Sequence, residues 1–308
     1  MHMNVIINAR SGANDKEEVG RRLCEIFRSS GMDVRVLFAR RDKDVLELAR
    51  RAVCGENETI VAGGGDGTIN AVASQLVGTR KTLGVIPLGT FNYFATNLGI
   101  PLDLEGAVRN IIARRVVCAD VGDVNGHVFL NNSSLGLYPL IVRVREKMYR
   151  RWGRSKIVAY LSVAFTLIRE RSSLNIRLEV DGQPLTRRTP LVFIGNNEYQ
   201  LQEFNIQGSA CLRAGKLVLY VTPPVGRIGM LRLALRTLFR QLNEETDLQI
   251  VCTREFWVET RRKTLRVVID GESKLIMTPL HFRLRPGGLR VIVPAVENAG
   301  PNGNRLQC

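Results

Sequence analysis

Aromatic side chains make up only 6% of the 308 residues, and the three histidines (2, 127 and 281) sit in no motif. That argues against a histidine base, and against stacking-type nucleic-acid recognition, which interleaves aromatics with basic residues. Long apolar runs are missing too. The most apolar helical stretch, Ile157–Ile168, is too short for a membrane span, which takes about 20 residues. The six cysteines (24, 54, 118, 211, 252 and 308) show neither paired nor metal-ligand spacing. They read as buried or free thiols in a reducing compartment. The opening Met-His-Met-Asn-Val lacks the basic and apolar regions of a secretory signal. Acidic residues are outnumbered, 29 against 44 Lys and Arg, for a net charge of +15. Such an excess implies a polyanionic partner, here an anionic membrane surface rather than nucleic acid. Three common phosphate-handling signatures are absent as well. No G-x-x-x-x-G-K-[ST] occurs, Gly63 to Gly67 has the wrong spacing for a dinucleotide fingerprint, and there is no His-Arg-Asp kinase loop.

What the chain does have is a pair of glycine loops. Thr59–Ala62 reads as a strand, Gly63-Gly64-Gly65-Asp66-Gly67-Thr68 follows, and Ile69–Val77 carries a helical pattern. A strand turning through glycines into a helix points backbone N–H groups and a helix N-terminus at one place, which suits an anion. A carboxylate there is unexpected. Asp66 makes sense if a divalent cation lies between it and a phosphate, or if it holds a donor in place. The second unit runs from the strand Leu83–Ile86 through Pro87-Leu88-Gly89-Thr90-Phe91-Asn92 into a short helix ending at Leu98. Two successive units of this kind put both loops at one edge of a parallel sheet, where open α/β sheets bind ligands.

The first third alternates strand and helix, with helices at Glu18–Ser29, Asp44–Val53 and Leu104–Ala113. This is a βαβ pattern. The pattern changes near Asp120. Asn125-Gly126 and Asp181-Gly182 sit between apolar runs as hairpin turns. Leu174–Val180, Leu191–Gly195, Lys216–Val221, Leu248–Val258, Leu265–Ile269 and His281–Leu284 read as strands. The expected architecture is α/β: an N-terminal parallel-sheet domain over residues 1–119, joined by the C-terminal segment 288–308, and an antiparallel β-sandwich over 120–287. Helical patterns at Arg143–Arg171 and Arg227–Leu242 interrupt the sandwich. The second carries Arg232, Arg236 and Arg240 on one stripe, a candidate face for acidic lipid headgroups. The polar tail after Val296 reads as disordered.

At this point the chain resembles the diacylglycerol kinase, sphingosine kinase and bacterial lipid kinase catalytic-domain family, itself distantly similar to NAD kinases and phosphofructokinases. The landmarks are Asn8-Ala9-Arg10-Ser11-Gly12, the two glycine loops, Asp120-Val121-Gly122, Phe129-Leu130-Asn131 and Asp270-Gly271-Glu272, from about Val5 to about Pro294. The resemblance implies transfer of the ATP γ-phosphoryl group, with Mg²⁺, to a lipid hydroxyl. It implies Asp270 as general base with Glu272 in support. Asn8, Ser11, Gly64, Gly65, Gly67, Thr68, Gly89, Thr90 and Asn92 would hold nucleotide, and Asp66 would act through the Mg²⁺-nucleotide. From local sequence alone, a hairpin turn is the better explanation of Asp270-Gly271; the family landmarks favour the base, and a tight turn can present a carboxylate. Two positions depart from the family pattern: Tyr93 stands where bacterial members commonly have Asp after Asn92, and Ala214 where they often have an Asp that contributes to a structural metal site. A lipid kinase bound peripherally to the cytoplasmic face of the membrane is the expected product. A kinase of a soluble acceptor, or an inactive nucleotide- or lipid-binding relative, is the alternative.

Overall fold

The computed structural model describes residues 2–9, 16–152, 174–180, 183–203, 205–226, 248–295 and 306–307, with single helical positions at 158, 162, 166, 229, 232 and 236. The chain divides into two compact units, Met1–Val121 with Arg285–Cys308, and Gly122–Leu284. The first carries β1 (His2–Asn8), α1 (Lys16–Ser29), β2 (Asp33–Ala39), α2 (Asp42–Cys54), β3 (Thr59–Gly64), α3 (Asp66–Leu76), β4 (Thr82–Pro87), α4 (Tyr93–Asn97), α5 (Leu104–Ala113) and β5 (Val116–Val124). There follow β6 (His127–Phe129), β7 (Asn132–Gly136), α6 (Leu137–Trp152), β8 (Leu174–Val180), β9 (Gln183–Thr189), β10 (Leu191–Gly195), α7 (Glu198–Glu203), α8 (Ser209–Arg213) and β11 (Leu217–Val221). The last described elements are β12 (Gln249–Thr253), β13 (Glu255–Glu259), β14 (Thr264–Ile269), β15 (Glu272–Met277), β16 (Leu280–Ile292) and β17 (Leu306–Gln307).

In the first unit the strands run β2-β1-β3-β4-β16, and every neighbouring pair is parallel. α1 and α5 pack together, and α2 packs on α3. The apolar spacing of α1 explains its docking: Leu23 and Phe27, one turn apart, are fully buried beside Met3, Val5 and Ile7 of β1. Glu17 and Glu18 in its first turn and Arg28 in its last suit the helix dipole. The strand order reverses direction between β1 and β3. The carboxyl ends of those two strands are therefore the crevice where such a sheet takes ligands.

The second unit is antiparallel. One sheet runs β12-β11-β10-β7-β14-β15, and β9, β8, β13 and the first part of β16 form another. Alternate residues of both enter one core, Val192, Ile194, Leu217 and Leu219 from one and Ile176, Leu178, Phe256 and Phe282 from the other. Phe256 and Phe282 stack with centroids 4.8 Å apart. Face-to-face packing of this kind makes a sandwich.

Several expectations need correcting. Leu248–Val258 is two strands in different sheets, because the chain breaks at Arg254, where Thr253 Oγ1 donates to Glu255 O at 2.7 Å. The helix expected from Arg143 begins at Leu137. The helical stretches at 157–168 and 227–242 fall mostly outside the described residues. Of the tail, residues 296–305 lie outside them, while Leu306–Gln307 pairs antiparallel with Cys118 and Val117 rather than trailing off. The free-thiol reading fails for Cys211 and Cys252, which form a disulfide with Cα atoms 5.6 Å apart, and for Cys118, which is also disulfide-bonded; Cys24 and Cys54 are free thiols. Cys211 and Cys252 are 41 residues apart in sequence, so only the fold brings α8 to β12.

Candidate functional site

At the switch-point edge of the first unit, β3 delivers Gly64 and α3 starts at Asp66, with Gly65 as a cap that offers no side chain. Thr68 folds back beneath the loop. A Cβ at Gly64 would lie 2.6 Å from the Thr68 hydroxyl oxygen. Asn8, at the end of β1, donates from Nδ2 to that oxygen at 3.1 Å, and both residues are buried. The two side chains expected to touch nucleotide therefore touch each other, pinning the start of α3 to the end of β1.

The second loop lies directly against the first. A Cβ at Gly89 would approach Gly65 Cα to 2.5 Å, so backbone meets backbone. Asn92, in the left-handed region at φ 52, accepts from Gly89 N and donates to Gly89 O, each at 3.0 Å. Asn92 is thus a clamp across its own loop, while Thr90 is exposed. Asp66 then joins the loops. Its Oδ2 accepts from Tyr93 N at 3.2 Å and its Oδ1 from Phe94 N at 3.0 Å. Of the two sequence readings of Asp66, holding a donor in place is the one these bonds display. The carboxylate faces the first-turn amides of α4, so it caps a neighbouring helix from outside. Tyr93 stacks on Phe91 with centroids 5.4 Å apart, and Phe91 is 65% exposed.

Truncating Asp66 to alanine strands two backbone amides, a loss of about 1–3 kcal/mol. We expect Asp66→Ala to melt a few degrees lower and to lose nucleotide binding, because the loops separate. Thermal melts with and without nucleotide read both effects. Unchanged nucleotide affinity would deny the loops a common anchor.

In the second unit, Asp270 and Gly271 form the two-residue turn between β14 and β15, at φ 44 and φ 87. Positive φ at both turn positions is the hairpin geometry that Asp-Gly favours. The turn reading is therefore correct, and the turn presents a carboxylate. Asp270 Oδ2 accepts from Leu130 N at 2.7 Å, and Oδ1 accepts from Asn131 N and Asn132 N, both at 2.9 Å. These amides use about three of the roughly four lone-pair positions of a carboxylate. Asp270 N in turn donates to Asn132 O at 3.0 Å. Glu272 lies exposed two residues on, at the head of β15.

The loop bearing those amides is itself held by residues that the sequence reading missed. Asn197 Nδ2 donates to Asn131 Oδ1 at 2.7 Å, Asn196 Nδ2 to Leu130 O at 3.0 Å, and Asn132 Nδ2 to Gln200 Oε1 at 2.8 Å. Asn197 and Asn131 are buried. Next along the chain, Glu198 is fully buried. One of its oxygens receives the Arg213 guanidinium, Nε at 2.9 Å, and the other has no hydrogen-bond partner among the described residues. Arg213 precedes Ala214, so a cation from the protein already meets a carboxylate beside that departure from the family pattern. The signal that could have found this cluster was the run Asn196-Asn197-Glu198 after a buried strand.

Of the remaining expected site residues, Gly67 lies in the first turn of α3. Arg232 is exposed and Arg236 half-buried, both in helical backbone. Ser11 and Arg240 lie outside the described residues. His127 is exposed at the start of β6, and partial desolvation, with the Lys274 charge second, lowers its pKa from the ordinary imidazole value. Among the described residues no three His, Cys, Asp or Glu side chains gather to hold a metal, and no helix is long and apolar enough to cross a membrane.

Comparison with known proteins agrees with this arrangement of elements. Residues 2–124 match the diacylglycerol kinase catalytic domain, and residues 140–293 match the YegS C-terminal NAD kinase beta sandwich-like domain. The chain is 39% identical over 134 residues to "Probable lipid kinase YegS-like" of Klebsiella pneumoniae (strain 342), covering 43% of this chain and 44% of that protein. A protein of the same name from Yersinia enterocolitica is 36% identical over 140 residues, covering 44% and 46%. The chain thus matches less than half the length of these curated relatives. The crystal structure of a candidate diacylglycerol kinase from Bacillus anthracis str. Sterne superposes with a TM-score of 0.73 at 25% identity, covering 95% of this chain and 97% of that one. A diacylglycerol kinase structure from the same organism, 21% identical with a TM-score of 0.67, shares the fold. With both domain matches present in this order, the chain belongs to the YegS-like family of lipid kinases.

Proposed function

We propose that this protein is an ATP-dependent lipid kinase that transfers the γ-phosphoryl group to a hydroxyl of a membrane lipid. The observation that carries the proposal is Asp270, an ionisable side chain aimed by three backbone amides on a left-handed turn residue. A turn alone does not need that carboxylate so firmly held, whereas a base must be placed before the reaction. In the proposed step, the lipid hydroxyl oxygen forms a bond to the γ-phosphorus as the bond to the ADP oxygen breaks, and Asp270 takes the hydroxyl proton.

The glycine loops suit the triphosphate. Gly65 caps α3 without a side-chain acceptor, so the positive end of a helix of 11 residues is left for an anion. Asn8, Thr68 and Asn92 shape these loops from behind, and the backbone at Gly64, Gly65, Gly67 and Gly89 supplies the surface. Mg²⁺ accompanies ATP in phosphoryl transfer and neutralises charge developing there. Asp66 is the one carboxylate in the two loop motifs, and its oxygens already serve Tyr93 and Phe94. The metal is therefore proposed to be held chiefly by the nucleotide. Peripheral attachment to the cytoplasmic face of the membrane follows from the lipid acceptor and the +15 charge, not from the cysteines.

The test is transfer of labelled γ-phosphate from Mg-ATP to diacylglycerol, phosphatidylglycerol, sphingosine and ceramide in mixed micelles. Labelled lipid that disappears with Asp270→Asn supports the proposal and names the acceptor class. Nucleotide binding without any labelled lipid would shift the acceptor to a soluble alcohol.

A further inference from the structure

We propose that the outer face of the β14–β15 hairpin, with the basic loop before it, is a docking surface for an anionic lipid bilayer. Leu265, Val267 and Ile276 of the hairpin point into the sandwich core. The alternate residues face the other way; Val268, near the turn, is buried, and the exposed ones lie at the far end of the hairpin. Leu275 is 62% and Met277 74% exposed. Register places Arg266 opposite Leu275 and Thr264 opposite Met277, and directly paired residues share a face. Arg261, Arg262 and Lys263, all exposed, complete the patch. Their loop is fixed beside Met277: Thr278 N donates to Lys263 O at 3.0 Å and Thr278 Oγ1 to Arg262 O at 2.5 Å. α6 packs against β14 and β15 and ends in Trp152, 60% exposed, with the Arg151 guanidinium carbon 6.0 Å from its ring. Among the described residues 259–277, which span β14, β15 and the loop before them, the exposed carboxylates are Glu259 and Glu272, at the margins.

The combination selects the partner. Two protruding aliphatic side chains gain nothing from a polyanion in water but are stabilised by every methylene buried in acyl chains. Each Lys or Arg near an anionic surface adds electrostatic attraction. Leu275 and Met277 offer no stacking surface to nucleic-acid bases, and an exposed tryptophan such as Trp152 suits a membrane interface. A second copy pairing along the β15 edge would cover backbone groups, not this face. The inference rests on the lipid kinase reading for its purpose and deepens it, because the surface belongs to the same hairpin whose turn is Asp270.

The test is co-sedimentation of the full chain with vesicles of equal parts phosphatidylcholine and phosphatidylglycerol at low salt. Leu275→Ser with Met277→Ser, and separately Arg261→Glu with Arg262→Glu and Lys263→Glu, are each expected to weaken binding about tenfold or more. All five positions are exposed, so melting temperatures should stay near that of the parent. Arg232→Glu with Arg236→Glu runs in parallel. Loss confined to that pair, unchanged affinity in both hairpin variants, or no binding by the parent chain would each overturn the proposal. So would self-association that disappears with Leu275→Ser and Met277→Ser. Kinase activity is not part of the readout: absence of phosphoryl transfer with hairpin-dependent vesicle binding defeats the kinase reading and leaves this surface standing.

Discussion

Asp270→Asn is expected to lower the rate of phosphoryl transfer by about 10²–10⁴-fold, the range that a positioned base contributes. Nucleotide affinity should not change. Asparagine tolerates the left-handed region that the residue occupies at φ 44. It also keeps one oxygen for the amides of Asn131 and Asn132. Its amide nitrogen cannot accept from Leu130 N, so about 1–3 kcal/mol of stability goes with it. Alanine is the poorer probe: it strands all three amides and strains the turn, so loss of activity would be mixed with loss of fold. Single-turnover kinetics with nucleotide affinity measured alongside separates the two effects. Full activity in the asparagine variant would remove Asp270 as the base.

The second large effect belongs to a glycine with ordinary backbone angles. Gly89→Ala would put a methyl group 2.5 Å from Gly65 Cα and 2.8 Å from Asn92 Oδ1. Neither neighbour is the free end of a flexible side chain. One is backbone, and the other is held by its bond to Gly89 N. The loops must part, the Asn92 clamp must open, and the Asp66 bonds to Tyr93 and Phe94 must stretch. Overpacking of this kind costs about 1–3 kcal/mol. Nucleotide affinity should fall well beyond what that instability explains, because both loops move. Isothermal titration with the alanine variant checks this, and a Kd within twofold of the parent's would show that the loops are not read together by the ligand.

Much of the first unit was legible because each of its elements obeys a short-range rule. The apolar period of α1, the fully buried β3 and β4, and the glycine punctuation after both strands predict their own positions to within a few residues. The purpose of the glycines was less legible. They read as room for phosphate, yet Gly64 makes room for Thr68, and Gly65 and Gly89 make room for each other. Asn8 and Asn92 likewise read as ligand contacts, and the structure shows them fastening the loops. A loop that must approach an anion must first be held, and the same polar side chains suit both tasks. In the second unit, the turn at Asp270 was visible, but its donors come from residues about 140 positions earlier, and no local period carries that information. α7 and α8 escaped notice because helices of six and five residues leave no periodic trace.

The hold on Asp270 carries a consequence for local stability. The amides of Leu130 and Asn131 belong to a connection between β6 and β7 that would ordinarily trade protons with solvent through small fluctuations. Here they end on a half-buried carboxylate, and Asn131 and Asn197 behind them are themselves closed off from water. For these amides to exchange, the hairpin turn must detach from the β6–β7 connection. In deuterium exchange the loop should therefore be as slow as the strands beside it in the absence of any ligand. The proposed base is then not something that ligand binding assembles, but a part of the cooperative folding unit itself.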